Sequence, residues 1–457
     1  MIHTFNLGKN LFWFIVVFTM ISTNSYTQLS NSNIKIYFTR PISSKYIISN
    51  MYPYQSGGSI VKQQILDVIK SAKFTIDVCV YNNSDADIVS ALKLARNKGL
   101  RVRYITDKST SNPALKNLNF PILYLGYEGG IMHNKFIIAD AGYANATLSI
   151  GSTNFTPNGF NDDANNLLII NDIPICNAFV KEFEEMWNSS TATPGNNPKS
   201  GSQKSDNTPH SFNINEIPIQ VFFSPSDQVE TNILRQLDNA DYNLRFAIFT
   251  FTSDSLAEAI VNKKKEGLSI RGITDNNSDF PGKLKYMQDN GVDVLDHSPS
   301  SQLHHKYAII DAEYVDSDPV VITGSHNWTW SANNINDEST LFIHDSDIAK
   351  LYSAEFNSRY CELAPWDCNL LKQDIYSNID VKIFPTLFLN SISIMLPENI
   401  HNIAISILDI NGKPVFFNKL DSNNLIDLDL SFLSSGSYFI QLQNNSDNYG
   451  TFKIIKL

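Results

Sequence analysis

The chain repeats itself, and that duplication limits what it can fold into more than any other feature. Residues 98–107, Lys-Gly-Leu-Arg-Val-Arg-Tyr-Ile-Thr-Asp, are answered 168 positions later by 266–275, Glu-Gly-Leu-Ser-Ile-Arg-Gly-Ile-Thr-Asp. The offset grows to 171 between His133-Asn134-Lys135 and His304-His305-Lys306. It reaches 173 between Gly151-Ser152-Thr153-Asn154 and Gly324-Ser325-His326-Asn327. Small insertions therefore lie in the loops between matching elements.

Each copy carries the same pattern. Amphipathic helices over 59–71 and 229–240 lead into strands over 74–80 and 243–251. Second helices over 85–97 and 253–265 stop at Gly99 and Gly267, residues suited to a left-handed C-terminal position. Strands over 101–105 and 269–273 follow, then a motif strand and a strand entering the Gly-Ser turn. Strands alternating with helices predict a sheet-centred α/β half, made twice and packed with pseudo-twofold symmetry.

The rest of the chain differs in character. Residues 1–27 place Lys9 before an apolar run from Leu11 to Ile21 that is short for a bilayer span. They read as a signal peptide cut near Thr27, with an uncleaved anchor as the alternative. No cysteine near the cut suggests a lipid anchor. The first half then covers 28–188 and the second 213–370. Residues 189–212, rich in Ser, Asn, Pro, Gly and Thr, predict a flexible linker or surface loop. Residues 378–457 alternate apolar and polar with turn signals at Asn411-Gly412 and Ser435-Gly436, which predicts a small all-β sandwich. Of four cysteines, which allow three connectivities, Cys361 and Cys368 close a short loop and form a plausible bridge, whereas Cys79 sits in an apolar strand and more readily packs there; Cys176 completes the set. No cysteine spacing suggests zinc, and no cofactor or metal is expected.

Net charge is −11, unevenly spread. Residues 34–188 carry 15 Lys+Arg against 13 Asp+Glu, and 213–370 carry 11 against 24. The second half thus lacks the basic stripe with which a protein grips long nucleic acid.

The chemistry sits in the repeated motif. Residues two apart on a strand share a face, so His133 and Lys135 point together, as do His304 and Lys306. Ser152 and Asn154, and Ser325 and Asn327, repeat that spacing on a neighbouring segment. Packing the halves together would place two imidazoles beside two ammonium groups, two hydroxyls and two amides. Such a ring suits a pentacoordinate phosphorus centre: one histidine attacks, the other protonates the leaving oxygen, and the donors hold the equatorial oxygens. Asp140 and Asp311, five residues past each lysine, have the opposite parity and are expected to cap a strand-end turn. Gly151 and Gly324 serve the turn; His305 and His326 are expected to be incidental; Trp328 and Trp330 read as core or rim packing.

The two sets His133-x-Lys135-x4-Asp140 and His304-x-Lys306-x4-Asp311, each followed by Gly-Ser-x-Asn, resemble the paired signature of the phospholipase D superfamily. The resemblance covers about residues 34–370, and Asn327-Trp328-Thr329 is most similar to the branch shared by cardiolipin-hydrolase-like enzymes and nucleases. It implies that Glu338, an acidic residue downstream of the second Gly-Ser-x-Asn, holds the histidine of the other half, His133. The matching position in the first half is Asn165, a departure that makes the halves unequal. It also implies a metal-independent reaction through a phosphohistidine, with His133 as nucleophile and His304 as general acid. Residues 406–413, 428–433, 435–440 and 450–456 resemble a type IX secretion sorting domain, with Phe384-Pro385-Thr386 where such domains often open on Pro-Asn-Pro. That implies export to the surface or medium; an ordinary accessory or carbohydrate-binding β domain is the alternative.

Three functions follow as expectations. The first is a secreted phosphodiesterase that releases phospholipid headgroups at a membrane surface, leaving phosphatidic acid. The second is an exported metal-independent nuclease, and the third an inactive surface-binding protein, which the intact motifs disfavour. Both motifs on one chain predict a site complete within a monomer.

Overall fold

The computed structural model describes residues 33–48, 51–275, 282–314, 316–366, 381–396, 403–410, 412–420, 425–443 and 448–457. The expected signal peptide and Cys368 lie outside them. Cys361 is disulfide-bonded, and Cys79 and Cys176 are free and buried.

The first half runs β1 (Ile34–Phe38), β2 (Tyr54–Ser56), α1 (Ile60–Ser71), β3 (Thr75–Val80), α2 (Ala86–Asn97), β4 (Arg101–Asp107), β5 (Ile122–Leu125), β6 (Lys135–Ala139), β7 (Thr147–Gly151), α3 (Pro157–Asn161), β8 (Asn166–Ile170) and α4 (Ile173–Trp187). The second runs β9 (Ser211–Ile214), β10 (Ile217–Ser224), α5 (Val229–Asp238), β11 (Asn243–Ile248), α6 (Asp254–Lys265), β12 (Ser269–Thr274), α7 (Leu284–Asp289), β13 (Asp293–Asp296), β14 (Lys306–Ile310), β15 (Val320–Gly324), α8 (Trp330–Asn334), β16 (Glu338–His344) and α9 (Ser346–Leu363).

Local chemistry sets these bounds. Asp85 accepts the Asp87 and Ile88 amides at the start of α2, and Ser253 accepts the Leu256 amide at the start of α6. Gly99 (φ +94°) and Gly267 (φ +103°) follow the helix ends in the left-handed region, as the repeat implied. The two eight-stranded sheets have the same core order, β1-β8-β7-β6-β3-β4-β5 and β10-β16-β15-β14-β11-β12-β13. They differ at one edge, where β2 pairs parallel to β1 but β9 pairs antiparallel to β10.

The helical pairs α1/α2 and α5/α6 cover one face of each sheet with separate cores. The other faces share a single core that takes in Ile36, Phe136, Phe179, Phe223, Tyr307 and Tyr352 from both halves. Helices α4 and α9 lie in that shared layer. Burial there decides the character of α9, which hides Lys350, Glu355 and Arg359 along with its apolar residues. The fold is therefore α/β in two pseudo-symmetric halves. Eight further strands between Lys382 and Lys456 form a three-stranded and a five-stranded sheet around a core of their own. No helix among the described residues is long and apolar enough to cross a membrane.

One part of residues 189–212, expected as a flexible linker or surface loop, is anchored: Ser200 and Lys204 are buried, and the segment ends inside β9. The reason lies in contacts more than a hundred residues away in sequence, such as Ser200 Oγ to Asp337 Oδ2 at 2.5 Å.

Candidate active site

Strands β6 and β14 begin at Lys135 and Lys306, so each motif histidine sits just before a strand, at the seam between halves. Two backbone anchors hold it there. Asp107, at the end of β4, accepts the Met132 amide at 2.8 Å, and its repeat mate Asp275 accepts the Leu303 amide at 2.6 Å. The shared Thr-Asp at the end of both repeats carried this signal, and no role was assigned to it from sequence.

The imidazoles are oriented across the seam. His133 Nδ1 lies 2.9 Å from each carboxylate oxygen of Glu338. His304 Nδ1 lies 2.9 Å from Asn165 Oδ1. The amide of Asn165 donates from Nδ2 to Gly159 O at 3.1 Å, which turns its oxygen toward His304. Both histidines thus carry Nδ1–H, which leaves Nε2 as the nitrogen that gains or loses a proton.

The hydroxyls do something other than expected. Ser325 Oγ donates to Glu338 Oε2 at 2.6 Å, and Ser152 Oγ donates to Asn165 Oδ1 at 2.8 Å. Each also accepts a backbone amide, from Ser339 and Asn166 respectively. With these bonds made, the serines hold the orienting residues rather than ringing the phosphorus position. The preceding glycines are required by close strand approach: a Cβ on Gly151 would lie 2.2 Å from Asn166 O, and one on Gly324, 2.1 Å from Ser339 O. Asn327 Oδ1 accepts the Thr250 amide at 3.4 Å, whereas Asn154 Oδ1 is buried without a partner among the described residues.

The lysines complete the arrangement. Lys135 Nζ donates to His133 O at 2.7 Å and Lys306 Nζ to His304 O at 2.9 Å. Two aromatic rings at the same repeat offset of 168, Tyr81 and Phe249, pack on them. The Tyr81 centroid is 5.3 Å from Lys135 Nζ and 5.0 Å from the His133 ring. That of Phe249 is 4.9 Å from both Lys306 Nζ and the His304 ring. Sequence reading ran the strand over 243–251 and so missed that the chain leaves β11 at Ile248, turning Phe249 onto the site.

Burial dominates the electrostatics. It pushes Lys135 down to about 7 and Lys306 well below the ordinary lysine range, with the neighbouring ammonium adding to the effect on Lys306. Burial, then the two lysines, hold both His133 and His304 well below the usual imidazole value. Burial raises Glu338. A nearby anion would favour the protonated form of each of these groups.

Asp140 and Asp311, carried among the site residues by the motif, are not at this seam. Each sits past the far end of its strand in the left-handed region (φ +52° and +51°). Asp140 accepts the Lys73, Phe74 and Thr75 amides at 2.6–2.9 Å. Asp311 accepts those of Asp241, Tyr242 and Asn243 at 2.7–2.9 Å. They cap the entry to β3 and β11. Their length of strand, five residues at about 3.3 Å each, separates them from the chemistry. His305 faces the shared core, with Nε2 3.2 Å from Glu355 Oε1. His326 is buried beside Glu338, Trp328 is core, and Trp330 is 62% exposed.

Two α/β halves that meet on paired His-x-Lys motifs, each imidazole held from the opposite half, define a phosphodiesterase of the phospholipase D superfamily. The chain belongs to the family described as cardiolipin synthase, PLD-like domain, which matches residues 65–187 and 233–360. Residues 382–456 match a secretion system C-terminal sorting domain, which indicates export to the cell surface or medium. A mitochondrial cardiolipin hydrolase of Xenopus laevis is 34% identical over 150 residues, 32% of this chain and 69% of that protein. The Homo sapiens protein of the same name is 29% identical over 139 residues, 30% of this chain and 52% of that protein. Among solved structures, a phosphatidylserine synthase of Haemophilus influenzae Rd KW20 superposes with a TM-score of 0.49 at 14% identity, over 67% of this chain and 85% of that one.

Proposed function

We propose that the chain hydrolyses a phospholipid phosphodiester, releasing the headgroup alcohol and leaving phosphatidic acid. The observation that carries this is the unequal pair of cross-seam contacts, Glu338 to His133 and Asn165 to His304. His133 Nε2 attacks phosphorus, its ring becomes cationic, and the Glu338 carboxylate stabilises that charge. The bond to the leaving oxygen breaks with its electron pair, and His304 delivers a proton to that oxygen. Its depressed basicity makes a protonated His304 a ready donor. His304 then takes a proton from water, the water oxygen attacks phosphorus, and the P–N bond breaks to restore His133. In this reading Lys135, Lys306, Asn154 and Asn327 bind the phosphoryl oxygens throughout. The site residues bring no metal into any step.

The lipid reading is supported by the acidic second half, the sorting domain and the relatives named for cardiolipin hydrolysis. Export would run across the inner and then the outer membrane, through machinery that reads the C-terminal domain. The near-neutral first half favours a nuclease as the second reading. Purified protein in EDTA, offered phosphatidylcholine, cardiolipin, single-stranded DNA and RNA, separates the two. Headgroup release without nucleic-acid cleavage is expected, and the reverse result overturns the lipid assignment. No cleavage of any substrate leaves the surface-binding reading.

A further inference from the structure

The residue before Glu338 is Asp337, and its surroundings are unlike those of its repeat mate, Ala164. Both positions share a backbone clamp. Asp337 N–H donates to Ile131 O at 2.9 Å, and Ala164 N–H to Gln302 O at 2.8 Å. Asn336 accepts the Ile131 amide, as Asp163 accepts that of Gln302. Only the second half adds a buried carboxylate at the next position.

That carboxylate is gripped by the connector between the halves. Gly201 N–H donates to Asp337 Oδ1 at 2.8 Å and Ser200 Oγ to Oδ2 at 2.5 Å. Lys204 Nζ lies 3.1 Å from Asp337 Oδ1 and 2.5 Å from Glu182 Oε1 on α4 of the first half. It donates further to Ser224 O at 2.8 Å. Lys204, Glu182 and Asp337 are all buried. The layers are tight: a Cβ on Gly201 (φ +56°) would lie 2.7 Å from Ile335 O, and one on Gly130, 2.0 Å from the same atom. Asp337 O in turn accepts the His133 amide at 2.9 Å. One lysine thus joins the first half, the connector and the second half directly behind the Glu338–His133 pair.

We propose that residues 200–204 are a positioning element of the reaction: Lys204, Ser200 and the Gly201 amide fix Asp337 and thereby set Glu338 against His133. The inference rests on the reading of Glu338 as the partner of the nucleophile. It gives the connector a part in the chemistry through the alignment of one imidazole, with no contact to substrate. Positional errors of about 1 Å at such a contact are enough to cost a hundredfold in rate.

The test uses the full chain and bis(p-nitrophenyl) phosphate, a diester cleaved whatever the natural substrate. Lys204→Met should lower kcat tenfold or more with KM changed less than threefold, and should move the acid limb of the pH profile. Combined with Glu338→Gln it should add little, because both changes act through one contact. Lys204→Arg should restore part of kcat. Ser200→Ala, which leaves the charges paired and the fold secure, should shift kcat and the pH limb in the same direction by two- to fivefold. The proposal is overturned if Lys204→Met and Ser200→Ala keep the wild-type kcat and pH profile. It is equally overturned if the Lys204→Met loss multiplies with that of Glu338→Gln and Lys204→Arg rescues nothing. A wild-type protein with no diesterase activity overturns the functional reading and takes this one with it.

Discussion

Replacing Glu338 by Gln keeps the shape of the second half while removing its charge, and the size of the loss can be worked from the structure. The carboxylate has both oxygens 2.9 Å from His133 Nδ1 and takes a 2.6 Å bond from Ser325. A glutamine presenting its oxygen to His133 would copy the first half, where Asn165 faces His304. What disappears is the charge-assisted part of the bond, which is about twice as strong as its neutral counterpart. Hydrogen bonds to charged groups contribute about 1.5–3 kcal/mol. The pair is buried, with Glu338 wholly inaccessible, so the upper part of that range applies. The neutral bond that remains keeps about half of that, so about 1.5 kcal/mol is lost, which at about 1.4 kcal/mol per decade is about tenfold in kcat, with KM little changed. Burst kinetics with bis(p-nitrophenyl) phosphate would resolve it, because the loss should fall on formation of the covalent intermediate. Asn165→Asp should instead raise the basicity of His304 and shift the pH profile upward. The reasoning is refuted if Glu338→Gln stays within twofold of wild type while Asn165→Ala is the damaging change.

Three further outcomes follow from the same geometry. Burial holds Lys135 near 7 when folded against 10.5 when unfolded, so the protonated lysine costs stability that is recovered as pH rises above about 7. Lys135→Met should therefore gain about 2–3 kcal/mol over wild type at pH 6 relative to pH 9, read from denaturant titrations at both pH values. In the free enzyme kcat/KM should fall first as His304 loses its proton, below the usual imidazole range, and again above about pH 7 as Lys135 loses its own; the Lys135→Met variant should lack only the second limb. Asp140→Ala should cost about 2–4 kcal/mol by stranding three amides and placing alanine at φ +52°. Its thermal midpoint should drop while the folded fraction keeps its kcat.

Much of this was legible because the sequence states it twice. The helices and strands of each half fell within a few residues of expectation, since apolar periodicity and the glycine stops at 99 and 267 are local signals. The cross-seam partners Glu338 and Asn165 were also reachable, through the repeat alignment and the family resemblance. The connector was not. A Ser/Gly/Asn/Pro-rich stretch has the same composition whether it is loose or, as here, pinned through Ser200 and Lys204 to residues far along the chain. Phe249 looks like an ordinary strand aromatic until β11 is seen to end before it, and Tyr81, just past its strand, gives no sign from sequence of the side it packs on. The serines were assigned to the wrong neighbour because motif spacing fixes a side chain's face but not which group on that face it meets.

The central claim is a covalent intermediate on His133 with the acid role on His304. It is tested most directly by quenching a single turnover of bis(p-nitrophenyl) phosphate at alkaline pH and locating the phosphoryl adduct by mass spectrometry. The account predicts an adduct on the peptide carrying His133. That adduct should still form in His304→Asn, since p-nitrophenolate leaves without protonation, and vanish in His133→Asn. An adduct on His304, or a turnover that leaves no adduct on either histidine, would contradict it.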